Sequence, residues 1–185
     1  MEIETKYVLT ETDFKRISVI FAKRRAENLI KKDSYYSRYS TVKKSIAKKE
    51  PLIRIREENG KGFLTVKRKS MKGNFESNQE EETKVDDVSV LKNLFLSTGY
   101  SEYFHKEKSA WSLIREVPFK DEDSVYVHME LESVNKEYFY LELEVTGDVP
   151  EDKAMQAIVG IANEFGIKEE QRDNRTWPEI LGIKV

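Results

Sequence analysis

The chain has 185 residues, a length that suits one domain spanning 1–185 with a buried core. Charged residues make up 36% of it, yet 32 basic and 34 acidic side chains leave a net charge of only −2, which argues against a nucleic-acid binder. The absence of cysteine excludes disulfides and thiolate metal sites, and His105 and His128 are too few for a nitrogen-rich zinc site.

In chain order, residues 2–9 read as a strand. Thr10 then caps a helix, with Asp13 at the capping-box position and Phe14, Ile17, Ile20 and Phe21 on one stripe. A strand follows over roughly 29–38, and the lysine-rich segment 39–50 reads as a loop or short helix with solvated charges. Pro51 opens a strand to Glu58, and Asn59-Gly60 marks a hairpin into a strand over 63–69. Residues 70–74 read as a turn before a strand over 75–85. Asp86 or Asp87 caps a second helix that runs to Ser97 and ends at Gly99. Strands near 102–114, 124–134 and 137–146, a helix over 151–165 and a short turn at Trp177–Leu181 complete the chain. The apolar run Ile17–Ala22 is too short to span a bilayer, and a charged strand from residue 2 leaves no place for a signal peptide. The expectation is a soluble cytoplasmic protein with no membrane partner.

Eight strands joined by short connections predict a largely antiparallel sheet, and eight such strands can close into a barrel. Their charges alternate in pairs of one sign: Glu2/Glu4, Arg54/Arg56, Lys67/Lys69, Glu80/Glu82, Lys106/Lys108, Glu130/Glu132 and Glu142/Glu144. Neighbours two residues apart on a strand lie roughly 6.7 Å from each other. Like charges at that distance repel by roughly 2.5 kcal/mol at an effective dielectric near 20. On a single strand such alternation ordinarily means a core face and a wet face. Its repetition across the strands, with signs kept apart, points instead to a charged interior with helices covering the apolar outside. The fold class expected is therefore α+β, a closed eight-stranded antiparallel barrel. Carboxylate pairs call for a hard divalent cation, Mg²⁺ or Mn²⁺, and basic pairs for oxyanions, so a polyanion carried with metal would satisfy both.

The ordered motifs also carry a resemblance. Glu2-x-Glu4-x-Lys6 on the first strand, Arg54-Ile-Arg56-Glu, Leu64-Thr-Val-Lys67, Lys106-x-Lys108-x-x-Trp111, Leu131-Glu132-Ser-Val134, Glu142-Leu-Glu144 and Thr176-Trp-Pro-Glu-Ile-Leu181 resemble, in that order, the signature of the CYTH superfamily. These are the triphosphate tunnel metalloenzymes, among them class IV adenylyl cyclases, thiamine triphosphatases and inorganic triphosphatases. The resemblance implies that Glu2, Glu4, Glu132, Glu142 and Glu144 hold one or two divalent ions. It implies that Lys6, Arg54, Arg56, Lys67 and Lys108 grip triphosphate oxygens, with Lys69 and Lys106 beside them, and that Lys6, Arg56, Lys67 and Lys108 serve the chemistry. Glu80 or Glu82 would face the tunnel, although both share a face with Lys84 and could be structural. Asp33 and Tyr35 resemble an Asp-x-Tyr-Phe motif of the cyclase-like branch; Tyr35 is equally readable as a packing residue. Glu132 stands where the family has aspartate, Lys108 where it has arginine and Trp111 where it has tyrosine, which puts substrate choice in doubt.

The implied substrate is a small-molecule triphosphate: ATP, tripolyphosphate or thiamine triphosphate. Compact length and the Asp33-Ser-Tyr35-Tyr36 segment lean toward a cyclase forming cyclic AMP and pyrophosphate. A triphosphatase, a polyphosphate sensor without turnover, and an interaction module with a merely solvated sheet are the other readings. A homodimer is the family-level expectation.

Overall fold

The computed structural model describes residues 2–39, 50–72, 75–119 and 124–183, with the side chains of 69–72 outside that description. Eight antiparallel strands close into a barrel in the order β1-β5-β4-β3-β2-β6-β7-β8. They are β1 Glu2–Val8, β2 Glu27–Ser37, β3 Leu52–Glu58, β4 Lys61–Lys72, β5 Phe75–Val85, β6 Ser101–Pro118, β7 Ser124–Val134 and β8 Tyr138–Thr146. Four helices are found among the described residues: α1 Glu11–Lys23, α2 Val88–Ser97, α3 Glu151–Glu164 and the single turn α4 Trp177–Ile180. The expected closed α+β barrel is therefore present. Two boundaries differ most from expectation. β4 continues to Lys72, where a turn was expected from residue 70, and β6 runs on to Pro118 because Lys108–Pro118 pairs along the whole of β7. The expectation for the lysine-rich segment falls on 40–49, outside the described residues.

Two compact units contribute to the barrel. The first comprises Met1–Leu29, Ser70–Asn78 and Lys108–Asn174. Its β1, β7 and β8 turn Ile3, Tyr7, Met129, Leu131, Leu141, Leu143 and Val145 toward α1 and α3. α1 begins where Thr10 Oγ1 accepts from the Asp13 amide at 3.1 Å, which satisfies one of the donors that every helix start leaves over. Its Ile17 and Phe21, one turn apart, are fully buried in this layer. Each such side chain contributes roughly 1.5–3 kcal/mol through removal from water. Trp111 belongs to the same apolar layer, so the residue standing in a tyrosine position faces helices and not the charged side of β6.

The second unit comprises Ile30–Lys69, Gln79–Glu107 and Arg175–Val185. Its β3–β4 hairpin turns at Asn59 and Gly60, with φ of 46° and 79°, the left-handed pair that a two-residue hairpin loop requires. Asn59 Oδ1 also accepts from the Ile30 amide at 3.0 Å, tying the turn to β2. Tyr36, Ile53, Ile55 and Leu64 form an apolar layer with Val88, Leu91 and Phe95 of α2. Asp87 caps that helix, accepting from the Val90 amide at 3.0 Å, and Gly99 follows its end at φ 87°. In both units one strand face packs on helices. Alternation then sends the charged residues to the other face, the barrel interior.

Candidate metal and anion sites

Strand register builds the acidic part of the first unit. Glu4 lies opposite Glu144, which lies opposite His128; Lys6 lies opposite Glu142, which lies opposite Glu130; and Glu132 lies opposite Tyr140. Directly opposed residues on one sheet face have Cβ atoms about 4.5–5.5 Å apart, and like charges so placed destabilise the sheet. Two groups of carboxylates result. Glu2, Glu4 and Glu144 offer ligand atoms within 4.8 Å of one another, and so do Glu130, Glu132 and Glu142.

Two buried oxygens in these surroundings have no hydrogen-bond partner: Glu132 Oε2 and Asn78 Oδ1. Asn78 lies opposite Glu2 and donates its amide to Glu2 Oε1 at 3.3 Å, which leaves the carbonyl oxygen over. Burial pushes the Glu132 carboxyl well above the usual carboxylate range; Lys108 pulls it down, and Glu142 and Glu130 push it further up. An orphaned buried acceptor is costly, and a cluster of buried carboxylates more so, unless a cation joins them. All-oxygen donors of this kind suit a hard divalent ion such as Mg²⁺ or Mn²⁺. The residues present therefore fit a metal.

Two lysines of this unit, Lys6 and Lys108, lie among the acids. Lys6 Nζ is 3.9 Å from Glu76 Oε1. Lys108 Nζ bonds Glu132 Oε1 and lies 3.1 Å from Glu142 Oε2 and 3.9 Å from Glu130 Oε2. His128 Nε2 meets Ser112 Oγ at 2.8 Å, while its Nδ1 is 3.8 Å from Glu144 Oε2. His105, by contrast, is exposed and pairs with Glu102.

The second unit gathers the cations. Register sets Asp33 opposite Arg56, Tyr35 opposite Arg54 and Arg54 opposite Thr65. Arg56 is clamped through Nε to Asp33 Oδ1 at 2.6 Å and through Nη2 to Oδ2 at 2.8 Å. Burial alone would raise the Asp33 carboxyl, but Arg56, with Arg54 and Lys106, outweighs it and holds the group far below the ordinary range. Arg54 Nη2 donates to Thr65 Oγ1 at 2.9 Å and to Glu82 Oε2 at 3.3 Å, while its buried Nε has no partner. That leftover N–H suits an oxyanion. Lys67 Nζ is 2.7 Å from Glu80 Oε1. Both Glu80 and Glu82 thus face the basic strands, Glu82 also accepting from Thr65 Oγ1 at 2.8 Å.

Lys106 is buried, with Nζ 3.9 Å above the Trp177 ring and 5.9 Å from that of Tyr35. Tyr35 itself stacks on Phe104 with centroids 4.1 Å apart, a packing role. The side chain of Lys69 lies outside the described residues.

Sequence reasoning thus named most of what is gathered here. It passed over Glu130, although the Glu130/Glu132 pair was visible, and over His128, two residues earlier on the same face. It also passed over Asn78 and Thr65, uncharged residues that a search for like-charge pairs does not find.

The CYTH domain model matches residues 1–177. The chain belongs to the CYTH family. Over 147 residues it is 24% identical to a Methanocaldococcus jannaschii protein named "Putative adenylate cyclase", covering 78% of this chain and 79% of that one. A Pyrococcus horikoshii protein of known structure is 26% identical, with a TM-score of 0.72 and coverage of 97% of this chain and 98% of its own. A Hippeastrum adenylyl cyclase homologue, described as having a dominant triphosphatase activity, shares the fold at 13% identity, with a TM-score of 0.61 and coverage of 99% and 95%. The family acts on triphosphates such as ATP and depends on metal. No helix among the described residues is long and apolar enough to cross a membrane.

Proposed function

We propose that this CYTH protein is a divalent-metal-dependent enzyme acting on triphosphates, with conversion of ATP to cyclic AMP and pyrophosphate as its reaction. The observation that carries this reading is the pair of carboxylate groups, Glu2/Glu4/Glu144 and Glu130/Glu132/Glu142, one of them containing a buried orphan oxygen. These carboxylates in the first unit, and Arg54, Arg56 and Lys67 in the second, each meet one need of a substrate that carries about four negative charges and travels with metal. The carboxylates would hold Mg²⁺ or Mn²⁺, which supplies charge neutralisation at the phosphate oxygens.

The protein's own groups then do the positioning. Arg56, held rigid by Asp33, and Arg54, with a free N–H at Nε, would orient phosphate oxygens as planar donors. Lys67 and Lys6 would add point charge. In the cyclase reaction the ribose 3′-oxygen bonds the α-phosphorus, the bond to the bridging oxygen of the β-phosphate breaks, and the 3′-hydroxyl proton passes to a base. Pyrophosphate leaves. Catalysis here is placement and electrostatics, and displacement by about an ångström changes which atom is attacked.

The second reading is hydrolysis, in which water attacks the γ-phosphorus, the bond to the β–γ bridging oxygen breaks, the diphosphate part leaves and the γ-group is released as orthophosphate. The Hippeastrum protein favours keeping it, because the same fold there is described as having dominant triphosphatase activity. Incubation with ATP and with tripolyphosphate in Mg²⁺ and in Mn²⁺, with cyclic AMP, pyrophosphate and orthophosphate resolved, tests both. Cyclic AMP with pyrophosphate from ATP supports the first; orthophosphate without cyclic AMP, accompanied by ADP from ATP or by pyrophosphate from tripolyphosphate, supports the second. No product from a protein that binds triphosphate refutes the catalytic reading.

A further inference from the structure

Phosphate binding does not account for where Lys108 lies. Its side chain is 4% exposed, and its ammonium sits inside the Glu130–Glu132–Glu142 group, in contact with all three carboxylates. Glu132 is 0% exposed and its Oε2 is unpartnered, an acceptor buried in the same group. The Lys108 ammonium alone does not match three carboxyl groups, a deficit of positive charge that remains even with one of them protonated. A divalent ion would fill that deficit and give Oε2 a partner. Yet Lys108 Nζ and such an ion would compete for the same oxygens, because both are compact cations and the ligand atoms all lie within 4.8 Å.

We propose that Lys108 is a tethered counter-ion that keeps this second carboxylate group closed to a divalent ion until a triphosphate draws its ammonium away. The second ion and the triphosphate then bind cooperatively, each improving the affinity of the other by the same factor. The trigger rests on the triphosphate reading above; the exclusion of the ion does not. Lysine suits this role. Its ammonium is a point charge on a flexible four-carbon stem and can exchange one set of oxygens for another, whereas an arginine fork is committed to planar two-point contacts. By register Lys108 stands opposite Val134, so its side chain leans along the strand to reach Glu132, which stands opposite Ala110.

The test counts and locates Mn²⁺ on the full chain at neutral pH. Without any phosphate, free-ion EPR titration should find one more ion per chain on Lys108→Met than on the wild type; equal counts overturn the proposal. If that variant does not fold, the wild type still decides. In crystals soaked with Mn²⁺ alone, an anomalous peak among Glu130, Glu132 and Glu142 overturns the proposal. A peak appearing there only when tripolyphosphate is present supports it. Affinity of that site should rise by about 5- to 150-fold with the anion, the usual span of coupled sites. Calorimetry of tripolyphosphate with Mn²⁺ present separates the two layers of argument. Binding of the anion with no peak at the cluster overturns the coupling. Absence of anion binding removes the triphosphate reading instead, and the Lys108→Met ion count then judges the exclusion alone.

Discussion

Replacing Asp33 by alanine isolates what the sheet invests in a single arginine. Asp33 is 1% exposed and holds Arg56 through two short charge-assisted hydrogen bonds, at 2.6 and 2.8 Å. Removing one member of a buried pair strands the other, at a cost of roughly 3–5 kcal/mol. Glu58 Oε2, 3.9 Å from Arg56 Nη1, can take up part of the orphaned charge, so the lower end, about 3 kcal/mol, is expected. At roughly 2–4 °C per kcal/mol for a chain of this size, the melting temperature should drop by about 6–12 °C. Calorimetry and urea unfolding at pH 7 measure it. The pH dependence has a definite sign. A carboxyl held below its unfolded value contributes stability above about pH 3.9 and loses it as pH falls toward the folded value. The gap between wild type and Asp33→Ala should thus be constant from pH 5 to 8 and close below about pH 4. Tripolyphosphate should stabilise the variant more than the wild type, because the freed guanidinium regains an oxyanion. A loss under about 1 kcal/mol, the value of an exposed pair, would refute the argument that Asp33 pre-sets Arg56.

Glu132→Gln should stabilise the metal-free protein, since burial and two neighbouring carboxylates disfavour the charged form. The sign here is opposite to that of Asp33: between the unfolded value near 4.3 and its raised folded value, the native state holds the proton. Wild-type stability in EDTA should therefore fall by about 1.4 kcal/mol per pH unit across that interval and then level, while the variant stays flatter in thermal melts. Glu4→Gln should abolish metal-dependent turnover while leaving circular dichroism and melting temperature intact or slightly raised; retained activity removes Glu4 from the metal shell. Phe21→Ala, in the apolar layer outside the barrel, should cost about 3–5 kcal/mol in urea unfolding. It should leave the Mn²⁺ count of the surviving folded protein unchanged; a changed count would mean that the two strand faces are not independent.

The fold was legible because each of its decisions is local. Glu2-Ile-Glu-Thr-Lys-Tyr states a strand with two different faces, and Tyr7 and Ile3 fall on the helix side as alternation requires. Asn59-Gly60 states a two-residue turn, which fixes the register that puts Arg54 opposite Thr65 and Arg56 opposite Phe63. Thr10 and Asp87 state helix starts. What was not legible was extent. Nothing local in Arg115–Pro118 says that β6 continues; it does so because β7 offers a paired edge over its whole length, a tertiary cause.

The site was legible as charge and illegible as partnership. Like-signed pairs mark a residue as belonging to the interior, but they do not say which residue across the sheet it will face. Register decides that, and register depends on turns far along the chain. Glu82 read as a ligand-facing acid, and it is bonded to Thr65 and Arg54 on strands β4 and β3. Lys108 read as a phosphate cation, and its ammonium rests instead among three carboxylates brought together by the β6–β7 and β7–β8 pairings. Both cases have one physical root. Buried charge is tolerable only when each ion is balanced, so a protein that keeps cations and carboxylates in readiness for metal and phosphate lets them balance one another in the meantime. In such an interior the resting ion pairs mark the positions that a bound metal or anion would have to displace.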